Sequence, residues 1–408
     1  MNIQKNYRIE YILFYLFLLI KPFYLKESGT MQAGDVLLVL SVVWWLGGLI
    51  ARKQWKNWRN HIEGIDILLV AFVLCTAVVN CVGVVRYGDT RFILSSLYLA
   101  FCTMAVVVFR AYLKNSSFRS MVYGICTFNV MMQFVLLITG VGRYLFEHRY
   151  VGSFNDPNQL GFFLLASMFM MSIFTKAEQK KRPWNILVYL CGLFLIILSK
   201  STGVALGLAI WWLGEGILAL YRWGQKERIS PGKMLGIGAG LFGVILVLCG
   251  IGIFMMRTMQ LGDEYNLFVR IGEKFELLWD GGFKSLCASR GIDRMWQYPW
   301  NNLFGAGEGA FYRFELSQLV NTEIHSSFLS ILFCYGVFPF MLVVIWVYKN
   351  IRKVPLELGV IYLAFFAECF VLINYRQPLF WMLFVTGQVS QGTGFRGTGK
   401  DAEIREKM

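Results

Sequence analysis

Apolar runs recur along this chain from one end to the other, and several reach the ~20 residues that a helix needs to cross a bilayer. No soluble core needs so many. Lipid accepts only helices or closed barrels, because each backbone N–H and C=O must be satisfied without water. The runs are continuously apolar and do not alternate with period two, which excludes a barrel. Composition agrees, with 57% hydrophobic and only 16% charged residues. The chain therefore reads as an all-α polytopic membrane protein of about twelve transmembrane helices. The spans fall at roughly 9–25, 35–51, 64–85, 92–109, 118–140, 158–175, 184–199, 202–221, 234–256, 324–348, 355–373 and 377–390.

Charge orients these spans. A net charge of +14 alone would suggest nucleic acid, but its distribution argues against that partner. With the N-terminus inside, inward segments hold 24 of the 39 Lys and Arg residues, including Arg52, Lys53, Lys56 and Arg59. Short outward loops hold eight: Lys21, Lys26, Arg86, Arg91, Arg143, Arg149, Lys200 and Arg376. That bias is the positive-inside pattern, so both termini are expected in the cytoplasm. Trp beside Lys and Arg in RKQWKNWRN (52–60) and KRPW (181–184) is ordinary headgroup anchoring. Most of the nine cysteines lie within spans as small apolar residues, and Cys287 falls in an outward loop. No CxxC or metal-type Cys/His spacing occurs, so neither a metal nor a cofactor is expected.

Four regions follow: helices one to nine over 1–256, an extracytoplasmic loop subdomain over 257–323, helices ten to twelve over 324–390, and a disordered cytoplasmic tail over 391–408. The segment LFVRIGEKFELLWDGGF in the long loop mixes charges and large apolar residues as an interfacial helix does. The last span, PLFWMLFVTGQV, is short for a crossing.

The unusual chemistry gathers in two outward connections, about 141–157 and 257–323, and at their borders. His325 opens the tenth span, where a polar helix-start residue is the plain alternative. Upstream, Arg290 and Arg294 stand four apart, which in a helix puts both guanidiniums on one face. Guanidinium forks suit phosphate oxygens, while snorkelling to lipid headgroups is the competing use. Gly305-Ala306-Gly307-Glu308-Gly309 follows no strand of a βαβ unit and is no nucleotide loop; it reads as a turn allowing close backbone approach. Asp156, Asn158, Glu308 and Glu323 could position sugars, or serve as helix caps and turn formers.

Three runs, GSFNDPNQLGFFLL (152–165), SRGIDR…NNLFGAGEGAF (289–311) and HSSFLSILFCYGVFP (325–339), together resemble the bacterial O-antigen polymerase/ligase superfamily in order and topology. The last run is similar to that superfamily's pattern of His, small polar residue, nine residues and Gly, here His325, Ser326 and Gly336. Pro339 departs from the pattern, as does Ser201-Thr202-Gly203 where members have Ser-Arg-Gly. The resemblance implies a membrane glycosyltransferase of the fold shared by lipid-linked sugar transferases. It implies transfer of glycan from an undecaprenyl-diphosphate carrier at the outer face, without metal or nucleotide sugar. By this resemblance Arg149 and Arg290 or Arg294 would grip the diphosphate, Lys200 would be a further phosphate contact, and His325 would attend the acceptor hydroxyl. Whether His325 takes a proton or hydrogen-bonds the diphosphate stays open. The leading expectation is a polymerase of lipid-linked surface polysaccharide, followed by a ligase onto another acceptor, then a transporter or flippase. Implied partners are the bilayer, the lipid-linked oligosaccharide and other membrane proteins of polysaccharide assembly.

Overall fold

The computed structural model describes residues 9–24, 32–51, 63–145, 148–179, 182–227, 267–314 and 323–392, with five isolated positions between 230 and 240. The expected ninth span, 234–256, lies almost wholly outside the described residues, as do His61 and most of the tail.

The described chain is a helical bundle. It begins with α1 (Ile9–Ile20), α2 (Ala33–Ala51), α3 (Ile67–Tyr87, entered through a 3-10 turn at Gly64–Asp66), α4 (Arg91–Leu113) and α5 (Ser116–Ile138). A two-stranded antiparallel hairpin follows, β1 (Arg143–Leu145) and β2 (Arg149–Gly152), then α6 (Pro157–Ala177), α7 (Trp184–Ser199) and α8 (Thr202–Lys226). The expected interfacial segment is α9 (Leu267–Ala288), bent where Gly282 adopts φ 65°. Two short helices, α10 (Arg294–Gln297) and α11 (Pro299–Phe304), lead towards α12 (Ser327–Tyr335). The chain continues through α13 (Val337–Ile351), α14 (Leu356–Val371), α15 (Pro378–Thr386) and α16 (Val389–Gly392).

Among the described residues, six helices are long and apolar enough to cross a membrane: α2, α3 with its leading turn, α4, α5, α6 and α8. Helix α3 shows why such a bundle suits lipid. Its buried side carries Thr76 and Asn80, while Leu74, Val78, Val82 and Val85 are 63–88% exposed on the outside. Water would penalise that inversion of polarity, and hydrocarbon favours it. Helix α6 is the opposite case, buried along nearly its whole length at the centre of the bundle.

The expected tenth span is interrupted. Gly336, at φ 88° and ψ 171°, separates α12 from α13 and leaves the carbonyls of Phe333 and Cys334 without helical partners. The Gly-rich turn supplies them: Ala306 N–H donates to Phe333 O at 2.9 Å and Gly307 N–H to Cys334 O at 2.6 Å. The approach needs glycine on both sides. A Cβ on Gly305 would lie 2.7 Å from the Tyr335 carbonyl carbon, and one on Gly336 would lie 2.5 Å from Leu303 O.

The last helices also differ from the expected single span. All nine residues of α15 are buried, so it is an interior helix against α4, α6 and α13. The chain stays packed through Ser390. Cys287, expected in an open loop, is buried at the end of α9.

Candidate functional site: a cationic cluster at the helix ends

The hairpin fixes Arg149. Tyr150, next to it, is fully buried and donates through its hydroxyl to Gln133 O on α5 at 3.0 Å. The Ser153 N–H donates to Gln133 Oε1 at 3.2 Å, closing the strand onto the bundle. Alternation then turns Arg149 to the other side, towards α6 and α7. Its Nε donates to Ser199 O at 3.0 Å and its Nη2 to Asn158 Oδ1 at 3.3 Å. Asn158 Oδ1 also accepts from Ser201 Oγ at 2.8 Å. Asp156 caps α6, accepting from the Asn158 and Gln159 N–H groups at 2.8 and 3.0 Å, with Pro157 in the first turn.

Helix α9 brings two more cations. Arg270 and Lys274 are one turn apart, and Arg270 Nη1 donates to Lys200 O at 2.6 Å. Lys200 ends α7 in the left-handed region, φ 52° and ψ 32°, which aims its carbonyl at that guanidinium. Past the end of α9, Gly291 takes φ 67° and turns the chain back. That turn presents Arg290, whose carbonyl accepts from His325 N–H at 2.9 Å and whose Nη1 donates to Val371 O at 2.7 Å. Gly203 at the start of α8 lies close against Val371 and Leu372, where a Cβ would come within 3.0 Å of both side chains. Leu372 O in turn accepts from Ser327 N–H and Oγ at 2.9 and 2.7 Å. The hairpin, the α7–α8 junction, the end of α14 and the His325 segment thus share one end of the bundle.

Arg149, Arg270, Lys274 and Arg290 are all half-buried. Among the described residues, none of the four forms a salt bridge with a carboxylate. Burial, then the nearby Arg270 charge, brings Arg149 down to about 10. Burial lowers Lys274 too, with Arg290 and Arg270 adding repulsion. Partial burial, with the Arg290 charge second, holds the His325 imidazole below its ordinary value. His325 precedes α12, which begins at Ser327, so it sits outside the helix and its ring is open on one side. An anion would relieve the repulsion that Arg270 exerts on Arg149 and that Arg290 and Arg270 exert on Lys274, which Glu273 offsets in part.

A second cluster, of two carboxylates and one guanidinium, stands beside this one. Glu308 is buried at the tip of the Gly-rich turn and accepts from the Tyr335 and Tyr375 hydroxyls and from Arg376. Arg376 Nη1 also donates to both Glu323 oxygens at 2.8 Å. Asn80 of α3 accepts from the Glu308 N–H at 2.9 Å, and Asp89 accepts from the Ala310 N–H at 2.7 Å. Glu308 and Glu323 are therefore engaged in holding the turn, the α14–α15 connection and the approach to His325 together.

Of the residues singled out by sequence, Arg149, Asn158, Asp156, Arg290, His325 and the Lys200 carbonyl are brought to one place. Arg294 is set apart from Arg290. The Gly291 turn breaks the helix that would have aligned them, and Arg294 is fully buried with its guanidinium 5.1 Å from the Phe314 ring. Arg270, Lys274 and Arg376 went unnoticed. Arg270 and Lys274 carry the i, i+4 spacing that was applied to Arg290 and Arg294, and the amphipathic run around them was the available signal. Arg376 carried no such signal, because a lone basic residue in a short loop looks like any other.

No group of three or more His, Cys, Asp or Glu suited to a metal ion occurs among the described residues. Compared with protein-family models and with curated proteins, the chain finds no match.

Proposed function

We propose that this chain is a metal-independent membrane glycosyltransferase that polymerises undecaprenyl-diphosphate-linked repeat units at the outer face of the bacterial inner membrane. On this reading it has twelve spans, both termini in the cytoplasm, and the long loop and cationic cluster outside. The observation that carries the reading is the convergence of Arg149, Arg270, Lys274 and Arg290 beside His325, with none of the four cations in a salt bridge among the described residues.

The chemistry suits that cluster. In the transfer, the bond between the anomeric carbon and the diphosphate oxygen breaks, and a bond from that carbon to an acceptor hydroxyl oxygen forms. Negative charge grows on the leaving diphosphate. Guanidiniums already held by Ser199 O, Lys200 O and Val371 O stabilise it without reorganising, where other transferases use a divalent cation. The acceptor hydroxyl proton passes to neutral His325, whose lowered pKa keeps it unprotonated near neutral pH. The transport alternative looks for broken helices that line a cavity. Here the interruption at Gly336 is filled by the backbone of the Gly-rich turn.

The test is purified protein in liposomes supplied with a lipid-linked repeat unit. A ladder of lengths with released lipid diphosphate, unaffected by EDTA, is expected. Transfer of one intact glycan to a different acceptor would make the protein a ligase. Lipid-linked glycan crossing the bilayer without bond formation would overturn the reading, and loss of activity restored by magnesium would remove its metal-independent form.

A further inference from the structure

Helix α9 has two faces with different surroundings. Arg270 and Lys274 point into the cluster, and Arg270 is tied to the carbonyl of Lys200 at the junction of α7 and α8. That tie sets the level of α9. Junctions between crossing helices lie where hydrocarbon gives way to headgroups, so α9 runs along the bundle end at headgroup depth. At ~100° per residue, Trp279 points away from Arg270 by roughly 180°, and Phe275 flanks the same side. Trp279 is 90% exposed and Phe275 64% exposed. The helix is held by buried residues only near its ends, at Leu267 and at Cys287 and Ala288. A second aromatic pair stands in the same loop region: Trp300 and Phe304 on α11 stack at 6.4 Å and are each 71% exposed.

We infer that α9 is an interfacial helix whose Phe275–Trp279 face lies in the bilayer surface while Arg270 and Lys274 on its other face complete the anion site. The occupant of the apolar face is lipid. A Trp-centred face at headgroup level, opposite a cationic face, is the arrangement by which amphipathic helices lie in the membrane plane with their apolar side ~5–10 Å into it. Bilayer contact would hold the two cations over the cluster, and an anion carried on a lipid tail would meet them without leaving the membrane surface. This consequence rests on the proposed function, whereas the position of α9 in the bilayer does not.

A fluorescent amino acid placed at position 279, and separately at 280, in protein reconstituted into liposomes tests it. Quenching by phospholipid brominated near the top of the acyl chain is compared with quenching by aqueous iodide. Bromolipid should quench position 279 at least about twofold more than position 280, and iodide should show the opposite order. Equal iodide quenching at both positions would put the face in water and overturn the inference. Resistance to both quenchers would mean that protein covers the face, which overturns it equally. Bromolipid quenching in a protein that forms no glycan ladder would keep α9 in the membrane and reject the proposed function. A ladder without bromolipid quenching would do the reverse.

Discussion

Arg110 and Arg290 both sit at an end of the bundle, and their surroundings differ. Arg110, near the end of α4, is 4% exposed. It donates to Asp66 and to Asn350, each at 2.9 Å, and to Gln388. Trp346 donates to Asp66 at 3.0 Å and Gln388 to Asn350 at 2.8 Å, which closes the network across α3, α4, α13 and the segment after α15. One cation meets one anion there. Arg290 is half-buried, its guanidinium holds only a backbone carbonyl among the described residues, and it shares its neighbourhood with Lys274 and His325. A protein that needs an arginine to hold helices together gives it a carboxylate. One left among like charges is placed for something that arrives from outside.

The largest effect should come from breaking the closed network. Arg110→Ala leaves Asp66 buried without its partner, a loss of about 3–5 kcal/mol for a buried pair broken on one side. The thermal midpoint in detergent and the yield in membranes should both fall sharply. A midpoint within a few degrees of wild type would mean that the Arg110 network is not what joins α3, α4 and α13.

Arg290 should behave in the reverse way. Arg290→Ala removes one hydrogen bond and one repelling charge, so the thermal midpoint should stay near wild type, within about 1 kcal/mol of stability. Glycan transfer should drop by about 10²–10³-fold, the usual loss when one preorganised donor to developing charge is removed. Arg290→Lys should recover little of it, because an ammonium keeps the charge and loses the fork. A melting loss as large as that of Arg110→Ala would make Arg290 a structural residue and erase the contrast.

Both behaviours trace to features of different legibility in the sequence. The helices were readable because hydrocarbon demands continuous apolar runs; α3, α4, α5 and α6 lie within a few residues of their expected bounds. The break at Gly336 was not readable, since its cause is the Gly305–Gly307 backbone docking from about thirty residues upstream, a tertiary event without local signal. His325, Arg149 and Arg290 were legible as polar residues at the borders of outward loops. Arg294 was misplaced beside Arg290 because spacing was read as helix across Gly291, whose positive φ ends that continuity. Glu308 was visible as a sugar-positioning or turn residue, and its burial was not, since the tyrosines that meet it lie on α12 and in the α14–α15 connection.

The smallest effect is a titration, and it sharpens the contrast without relying on catalysis. Three histidines allow each imidazole to be followed by NMR in isotopically labelled protein held in nanodiscs. His325 should titrate below the ordinary 6.5, since partial burial disfavours its charged form first and Arg290 second. Glu323 and Asp156 act in the opposite direction, and Lys274 adds a weaker repulsion. The imidazole therefore takes its proton at a lower pH than an ordinary histidine does. An unshifted imidazole that served as base would lose about fourfold in its neutral fraction between pH 8 and pH 6, so activity should lose less than that. Arg290→Gln removes the second cause and should move the His325 titration upward. Arg110→Gln, at the far end of the bundle, should leave it unmoved wherever the protein still folds. A His325 titration that ignores Arg290→Gln would place the two residues too far apart to share an anion.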